Sequence, residues 1–426
     1  MTITIFLLSL LGAMALGMPI AFALLLCGVA LMYQLDLFDA QIVAQNVING
    51  ADSFPLMAVP FFMLAGEVMN AGGLSKRIVA VALAMVGHVK GGLGYVVIVA
   101  ACVLASLSGS AVADAAALGA LLVPMMVDAG HDRARSGGLV AASGIIAPII
   151  PPSIAFVVFG VAGGVSITKL FLAGIVPGLM LAVSLAVTWW WLVRREVLAP
   201  APRRTARELS RALIDGVWAL FLPVIIIVGL KFGVFTPTEA AVVAAVYSLF
   251  VATCVYRELG IKDLYGVFVT AAKITSVVMF LVAAALVSSW LITVADLPGQ
   301  VIELLEPFMG NQTLLMLMIM VLVVVVGTAM DMAPTILILT PVLVPVVKEA
   351  GIDPVYFGVL FVINNAIGLI TPPVGTVLNV VCGVSKLSME EIMKGVWPFM
   401  VAQLLVLLLL VLFPALVTVP AAWFAR

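Results

Sequence analysis

Residues 122–152, LVPMMVDAGHDRARSGGLVAASGIIAPIIPP, are answered by residues 343–373, LVPVVKEAGIDPVYFGVLFVINNAIGLITPP. Leu122-Val123-Pro124, Ala129-Gly130, Ile146, Ile149 and Pro151-Pro152 each recur 221 positions later, as Leu343-Val344-Pro345, Ala350-Gly351, Ile367, Ile370 and Pro372-Pro373. The same offset carries Gly174 and Pro177 onto Gly395 and Pro398, so the spacing survives without a gap. Both copies are apolar enough to sit in lipid, and in both a helix is broken by proline or glycine. A broken helix leaves backbone N–H and C=O groups unpaired; hydrocarbon cannot satisfy them, whereas protein, a water-filled cavity or a bound ion can. Interrupted apolar segments at matching places of two halves point to the binding site of a secondary transporter.

Composition places the chain in a membrane. Hydrophobic residues make up 65% and charged residues 10% of it, and the mean hydropathy is +1.31, far from the soluble balance of about 25% charged. A net charge of -1 gives no basic surface for nucleic acid. The first 33 residues carry no charged side chain, so the basic start of a cleaved signal peptide is missing. That stretch reads as a retained span, kinked or loosened at Gly17-Met18-Pro19. Cys27, Cys102, Cys254 and Cys382 lie singly in apolar runs and match neither a disulfide framework nor a metal pair.

Crossing about 30 Å of hydrocarbon takes roughly 20 helical residues. Segments 3–33, 168–193, 213–232, 236–256, 311–327 and 396–420 meet that length or approach it. The pieces 91–105, 111–127, 137–147, 154–163, 332–347, 355–370 and 376–384 are too short singly and read as half-helices around breaks. Segments 52–75 and 275–298, with polar centres or ends, are expected to be helical hairpins that enter and leave on one side. Residues 194–211 hold Arg194, Arg195, Arg203, Arg204, Arg207 and Arg211 against Glu196 and Glu208. Short basic loops stay cytoplasmic, so this stretch reads as a cytoplasmic linker between a first membrane repeat, 1–193, and a second, 212–426. Arg133 and Arg135 in the loop 128–135 have no basic counterpart pair in 348–353, as expected if matched loops face opposite sides. The expected fold is an all-α polytopic membrane protein of two inverted-topology repeats with re-entrant hairpins and discontinuous helices.

Chemistry concentrates at the breaks. The first begins Ser106-Leu107-Ser108-Gly109-Ser110 and leads into a helix with Asp114; the second copy has Gly327-Thr328-Ala329-Met330-Asp331. Glycine permits the non-helical turn, and freed carbonyls with hydroxyls are hard oxygen ligands suited to a small cation such as Na⁺. A half-helix starting near Ser110 also offers free N–H groups to an anionic substrate. A structural account remains open: the serines cap a kinked helix or let helices pack closely. Against it stands the cost of a carboxylate at mid-membrane, about 2.5–3.5 kcal/mol on insertion scales, which Asp114 and Asp331 each incur. The second pair of breaks contains Pro148, Pro151, Pro152 and Ser153 in one copy and Thr371, Pro372, Pro373, Gly375 and Thr376 in the other. Two accounts of Pro151 and Pro372 stand side by side: the carbonyls they release complete an ion site opposite the serine-rich break, or the prolines serve only as structural kinks. Asn364 and Asn365 lie close enough in sequence to bond ligand or exposed backbone. Thr236-Pro237-Thr238-Glu239 fits a capping box, and Glu67 either lines the path or pairs with Lys76 or Arg77.

Enzyme signatures are absent. His88 and His131 are the only histidines, so no metal cluster or Ser-His-Asp arrangement is built on them, and there is no Gly-x-x-x-x-Gly-Lys phosphate loop. Energy has to come from an ion gradient rather than from ATP, with no organic cofactor.

Seven stretches in order resemble the large membrane subunit of the tripartite ATP-independent periplasmic (TRAP) transporters, the DctM or SiaM type. They are GMPIAFAL at 17–24, PFFMLAGEVMNAGGL at 60–74, SGSAVADAAALG at 108–119, APIIPPSIAF at 147–156, GVFTPTEAAVVA at 233–244, DMAPTILILTPVLVPV at 331–346 and GLITPPVGT at 368–376. The resemblance implies a sodium-driven, elevator-type importer of an organic acid in the bacterial inner membrane. It further implies a separate four-helix small subunit and a periplasmic binding protein as partners; this chain looks like an unfused form. By that likeness Ser106, Ser108, Gly109, Ser110, Gly327, Thr328 and Asp331, with Pro151 and Pro372, are Na⁺-proximal. Ser110, Asp114, Asn364, Asn365, Thr371, Gly375 and Thr376 are substrate-proximal. Rival readings are a one-component Na⁺/dicarboxylate symporter, whose Ser-Asn-Thr triplet is missing from both breaks, and a membrane scaffold with no pathway.

Overall fold

The computed structural model describes residues 2–194, 196, 205–372 and 374–424, and all regular structure among them is helical. The first half runs α1 (Thr2–Ala15), α2 (Ile20–Gln34), α3 (Ala40–Ala51), α4 (Ala58–Ala71), α5 (Leu74–Val86), α6 (Gly92–Ser108), α7 (Ala111–Asp128), α8 (Arg133–Gly144), α9 (Ile154–Gly163) and α10 (Ile167–Val193). The second runs α11 (Ala206–Lys231), α12 (Pro237–Phe250), α13 (Ile261–Val294), α14 (Leu297–Met309), α15 (Gln312–Ala329), α16 (Met332–Glu349), α17 (Pro354–Gly368), α18 (Thr376–Ser385), α19 (Met389–Leu412) and α20 (Ala415–Phe424). Among the described residues eight helices are long and apolar enough to cross a membrane.

The 221-residue offset holds for helices as it does for letters. It carries the limits of α7 onto those of α16, and brings α6, α8, α9 and α10 within three residues of α15, α17, α18 and α19. Further out, α3 and α4 together answer to the single helix α13. The cause is local. Pro55, in the turn Phe54–Met57 before α4, cannot donate its missing N–H or continue a helix; its counterpart is Ser276, which lies inside α13.

Several expectations need correction. Segment 3–33 is two helices, because Gly17 takes φ +81° and turns the chain so that α1 packs along α2. Segment 52–75 is one pass, a short turn continued by α4. Segment 275–298 lies mostly in α13, a helix of 34 residues. Its polar residues do not break it, since Ser276 Oγ donates to Ala272 O and Thr293 Oγ1 to Ser289 O inside the helix. Segment 396–420 is interrupted at Phe413-Pro414 between α19 and α20. The linker ends at Thr205, which caps α11 with Glu208, so Arg207 and Arg211 are helical; Arg195, Arg203 and Arg204 lie outside the described residues.

The hairpins are elsewhere. Gly91, which precedes α6, accepts a hydrogen bond from Trp189 Nε1 at 2.8 Å, and His131, which follows α7, places its ring 5.3 Å from the Trp189 ring. Both ends of α6–α7 therefore meet at one end of α10. In the second half Gln312 Nε2, at the start of α15, donates to the carbonyls of Ala350 and Gly351, just past α16, at 3.0 and 3.3 Å. So α15–α16 also leaves and returns on one side; segment 311–327 is the arm of a hairpin rather than a span.

Each hairpin packs against the broken helix of the other half: α7 on α18, and α16 on α9. A Cβ on Gly119 would stand 3.0 Å from Val384 Cγ2, and one on Gly163 3.0 Å from Thr340 Cγ2. Gly119 and Thr340 are offset partners, as are Gly163 and Val384, so one contact is made twice. Small residues allow such approach where lipid gives helices no hydrophobic reason to associate. Gly395 is the extreme case. A side-chain carbon there would collide with the Ala134 carbonyl, across the contact of α19 with α8.

Gly395→Val should therefore lower stability by roughly 1–3 kcal/mol or more through overpacking. Thermal unfolding of the purified protein in detergent measures it; an unchanged midpoint contradicts the backbone contact.

Candidate functional site

The first break is built by three residues. Gly109 ends α6 in the left-handed region, φ +62°, which glycine enters without cost. A Cβ on it would also collide with the Pro152 carbonyl region, 2.6 Å from Pro152 O. The serine-rich and proline-rich breaks of the first half thus touch. Ser110 caps α7, its Oγ accepting from Ala113 N. Ser153 caps α9, accepting from Phe156 N at 3.1 Å while donating to Pro148 O.

Asp114 sits one turn into α7 and is 3% exposed. Its Oδ1 accepts a 2.5 Å hydrogen bond from Ser108 Oγ; its Oδ2 is buried without a partner. A buried carboxylate costs several kcal/mol unless a counter-charge meets it, and among the described residues no cationic side chain pairs with this one. Ser106 is buried beside it with its Oγ donating to Val103 O at 2.6 Å, which leaves the hydroxyl lone pairs free to accept.

In the second half α15 continues through Gly327 and Thr328, and the interruption falls at Met330-Asp331, later than expected. Thr328 Oγ1 is spent on Val325 O at 2.8 Å. Gly327 faces the proline break of its own half: a Cβ on it would lie 3.7 Å from Gly368 Cα and 3.8 Å from Asn365 Oδ1. Asn365 Oδ1 is buried and unpartnered. Asp331 is exposed at the start of α16 and accepts from Thr376 Oγ1 at 3.3 Å.

Gly109, Ser110, Pro148, Asp331, Met332 and Leu369 line one cavity of about 140 Å³. The hairpin tips of both halves open on it, and the first turns of α7 and α16 face it. Not every expected residue arrives. Asn364 turns its amide to Met320 O at 2.6 Å, and Thr371 Oγ1 donates to Ile367 O at 2.8 Å; neither lines the cavity. Gly375 precedes α18 at φ +45°. Pro151 is buried and Pro372 half-buried, while Pro373 lies outside the described residues. Pro148, at the proline-rich break, lines the cavity as well, and so do Met63 of α4 and Val278 of α13, which were not expected. Ser143 was also missed: its Oγ is buried and unpartnered, as is Asn364 Oδ1. The offset run backwards from Asn364 lands on Ser143.

The side-chain atoms left without a partner here, Asp114 Oδ2, Ser143 Oγ, Asn364 Oδ1 and Asn365 Oδ1, are all oxygens, and no cluster of His, Cys, Asp and Glu able to hold a metal ion occurs among the described residues. The capping box at Thr236 is formed as expected, with Glu239 Oε2 accepting from Thr236 N at 2.8 Å. Glu67 pairs with neither Lys76 nor Arg77; Arg77 lies 2.7 Å from Glu258 instead.

Comparison with known proteins agrees with this architecture. The family model described as "Tripartite ATP-independent periplasmic transporter, DctM component" matches residues 7–416. The 2,3-diketo-L-gulonate TRAP transporter large permease protein YiaN of Escherichia coli K12 is 58% identical over 99% of this chain and 100% of its own length. The sialic acid TRAP transporter large permease protein SiaM of Vibrio cholerae is 38% identical over 95% of each chain. Among solved structures, the Alcanivorax borkumensis YdaH transporter superposes with a TM-score of 0.66 at 14% identity, covering 89% of this chain and 90% of that one; that likeness bears on the fold alone.

Gly109→Ala should destabilise the protein by about 1–2 kcal/mol from the left-handed backbone alone, and more from its clash with Pro152. Unfolding in detergent reads the loss. Wild-type stability in this variant would place the two breaks apart.

Proposed function

The chain belongs to the DctM component family of tripartite ATP-independent periplasmic transporters, a large permease subunit of the inner membrane, and from that premise we propose that it is the Na⁺-driven translocating subunit of an organic-acid importer. In this reading it catalyses no covalent chemistry. It works with a four-helix small membrane subunit and a periplasmic binding protein, and its repeats, 1–193 and 212–426, lie inverted about the basic linker 194–211. The relatives' names favour a carboxylate of the keto-acid, sugar-acid or sialic-acid kind.

One observation carries the proposal: Asp114 Oδ2 is buried and unpartnered at a helix break that opens on a cavity shared with the other half. A cation completes it. Ser106, Ser108, Gly109 and Ser110, with carbonyls near Pro151, supply the first set of oxygens. Gly327, Asp331 and Asn365, with carbonyls near Pro372, supply the second; Thr328 contributes through its backbone. An anionic substrate then meets the N–H groups at the starts of α7 and α16, with Thr376 and Gly375 alongside.

The energetics suit such coupling. A tenfold Na⁺ gradient is worth about 1.4 kcal/mol per ion, and each 100 mV of membrane potential about 2.3 kcal/mol per charge. The interlocked hairpins and broken helices form the moving body of an elevator, and α4 and α13, whose Met63 and Val278 face the breaks, form part of the frame.

Reconstitution with the small subunit tests this. Uptake that requires both a Na⁺ gradient and the binding protein supports it; uptake without the binding protein indicates a one-component symporter, and no uptake indicates a scaffold. Asp114→Asn should raise the half-saturating Na⁺ concentration about tenfold, the equivalent of 1.4 kcal/mol. Asp331→Ala, at an exposed carboxylate, should raise it less. Unchanged Na⁺ dependence in well-inserted variants removes these residues from the ion sites.

A further inference from the structure

A second cavity, of about 560 Å³, lies between α4–α5 and the hairpin arm α7. One wall is a small-residue face, with Ala113, Ala116, Ala117 and Ala120 among its lining. The other carries Glu67, Asn70, Ser75 and Lys76. Glu67 and Lys76 are the only charged residues of the lining, and neither forms an ion pair among the described residues. Asn70 Oδ1 accepts from Ser75 Oγ at 2.6 Å, which fixes the amide and leaves its N–H₂ to donate.

This cavity neighbours the smaller one at the breaks along α4 and α7. Met63, which lines the break cavity, is one helical turn from Glu67 on α4, and Val112 adjoins Ala113 on α7. Beyond Lys76 the track opens further, because Lys76 also lines a charged cavity of about 910 Å³ with Arg77, Arg211 and Asp215. Size separates the roles. Small-molecule pockets run about 300–1,000 Å³; the break cavity, at about 140 Å³, falls below that range and the second cavity, at about 560 Å³, inside it.

We propose that this cavity is a holding station for the transported acid, in which Lys76 takes one carboxylate while Glu67, Asn70 and Ser75 bind hydroxyl or keto groups, so that it selects polyhydroxylated monocarboxylates over dicarboxylates. The station rests on the transport reading above and adds its substrate class. Lys76 is the sole cation in the lining, so it neutralises one carboxylate, and a second carboxylate would face Glu67. Hydroxyls suit Glu67, since a carboxylate only accepts hydrogen bonds. Glu67 is half-buried while Asn70 and Lys76 are exposed, so the discrimination comes from charge, a second carboxylate being repelled by Glu67.

Equilibrium binding and Na⁺-driven uptake, measured in the complex with the small subunit and binding protein, test it with 2,3-diketo-L-gulonate, L-gulonate and succinate as probes. Wild type should prefer both sugar acids to succinate by at least about tenfold. Lys76→Ala should weaken sugar-acid binding about tenfold and Lys76→Arg should restore it to within about threefold. Glu67→Gln should narrow the discrimination against succinate about fivefold. Ala117→Phe, which fills the cavity without changing charge, should raise KM for every acid while leaving Na⁺ dependence as in wild type. A wild type that prefers succinate, or variants that bind all three acids as wild type does, overturns the station while leaving transport intact. Absence of any Na⁺-driven uptake by wild type sinks the transport reading itself.

Discussion

Every interruption of a helix inside a bilayer frees backbone groups that lipid cannot satisfy. Up to four N–H or four C=O groups are left at each end, and the whole molecule is arranged around that constraint. The protein places its breaks against one another: Gly109 against Pro152, and Gly327 against Gly368. Serine caps take up N–H groups at α7 and α9. What remains are carbonyls and a few side-chain oxygens near a small cavity. Glycine at position 109 is needed for its positive φ and for the closeness of the second break.

Bringing four breaks together imposes a second demand. The hairpin of each half must reach the broken helix of the other, and the paired contacts Gly119–Val384 and Gly163–Thr340 show how. Neither half closes its own site. Elements interlocked in this way hold together as one body. Close backbone approaches at Gly138 and Gly395 tie the body to the long helix α19.

Much of this was legible in the sequence, for physical reasons. Proline and glycine act through the backbone, so half-helices 111–127, 154–163, 332–347 and 376–384 were readable to within two residues of α7, α9, α16 and α18. The hairpins were not. Which helices turn back is decided by long-range contacts such as Trp189 with Gly91 and Gln312 with Ala350, and local polarity misled because serine and threonine in α13 bond their own carbonyls. At the site, residue types were readable but orientations were not. Asn364 and Asn365 are adjacent in sequence, yet helical geometry sends one toward Met320 and leaves the other facing Gly327. Glu67 stayed open because its neighbour in space is the α7 wall, far along the chain.

The two halves match in geometry more closely than in chemistry. Ser110 and Asp331 are offset partners, as are Asp114 and Thr335. The carboxyl group therefore sits one turn behind the break in the first half, buried, and on the break itself in the second, exposed. Thr335 Oγ1 in turn donates to Asp331 O at 2.8 Å, so the position that holds a carboxylate in one half braces the backbone in the other. Oxygens supplied by the main chain are set by the helix limits, which the offset preserves; those supplied by side chains have changed. The halves thus share one backbone frame and differ in how far their carboxyl group is withdrawn from water, and a buried charge is screened far less by water and salt than an exposed one.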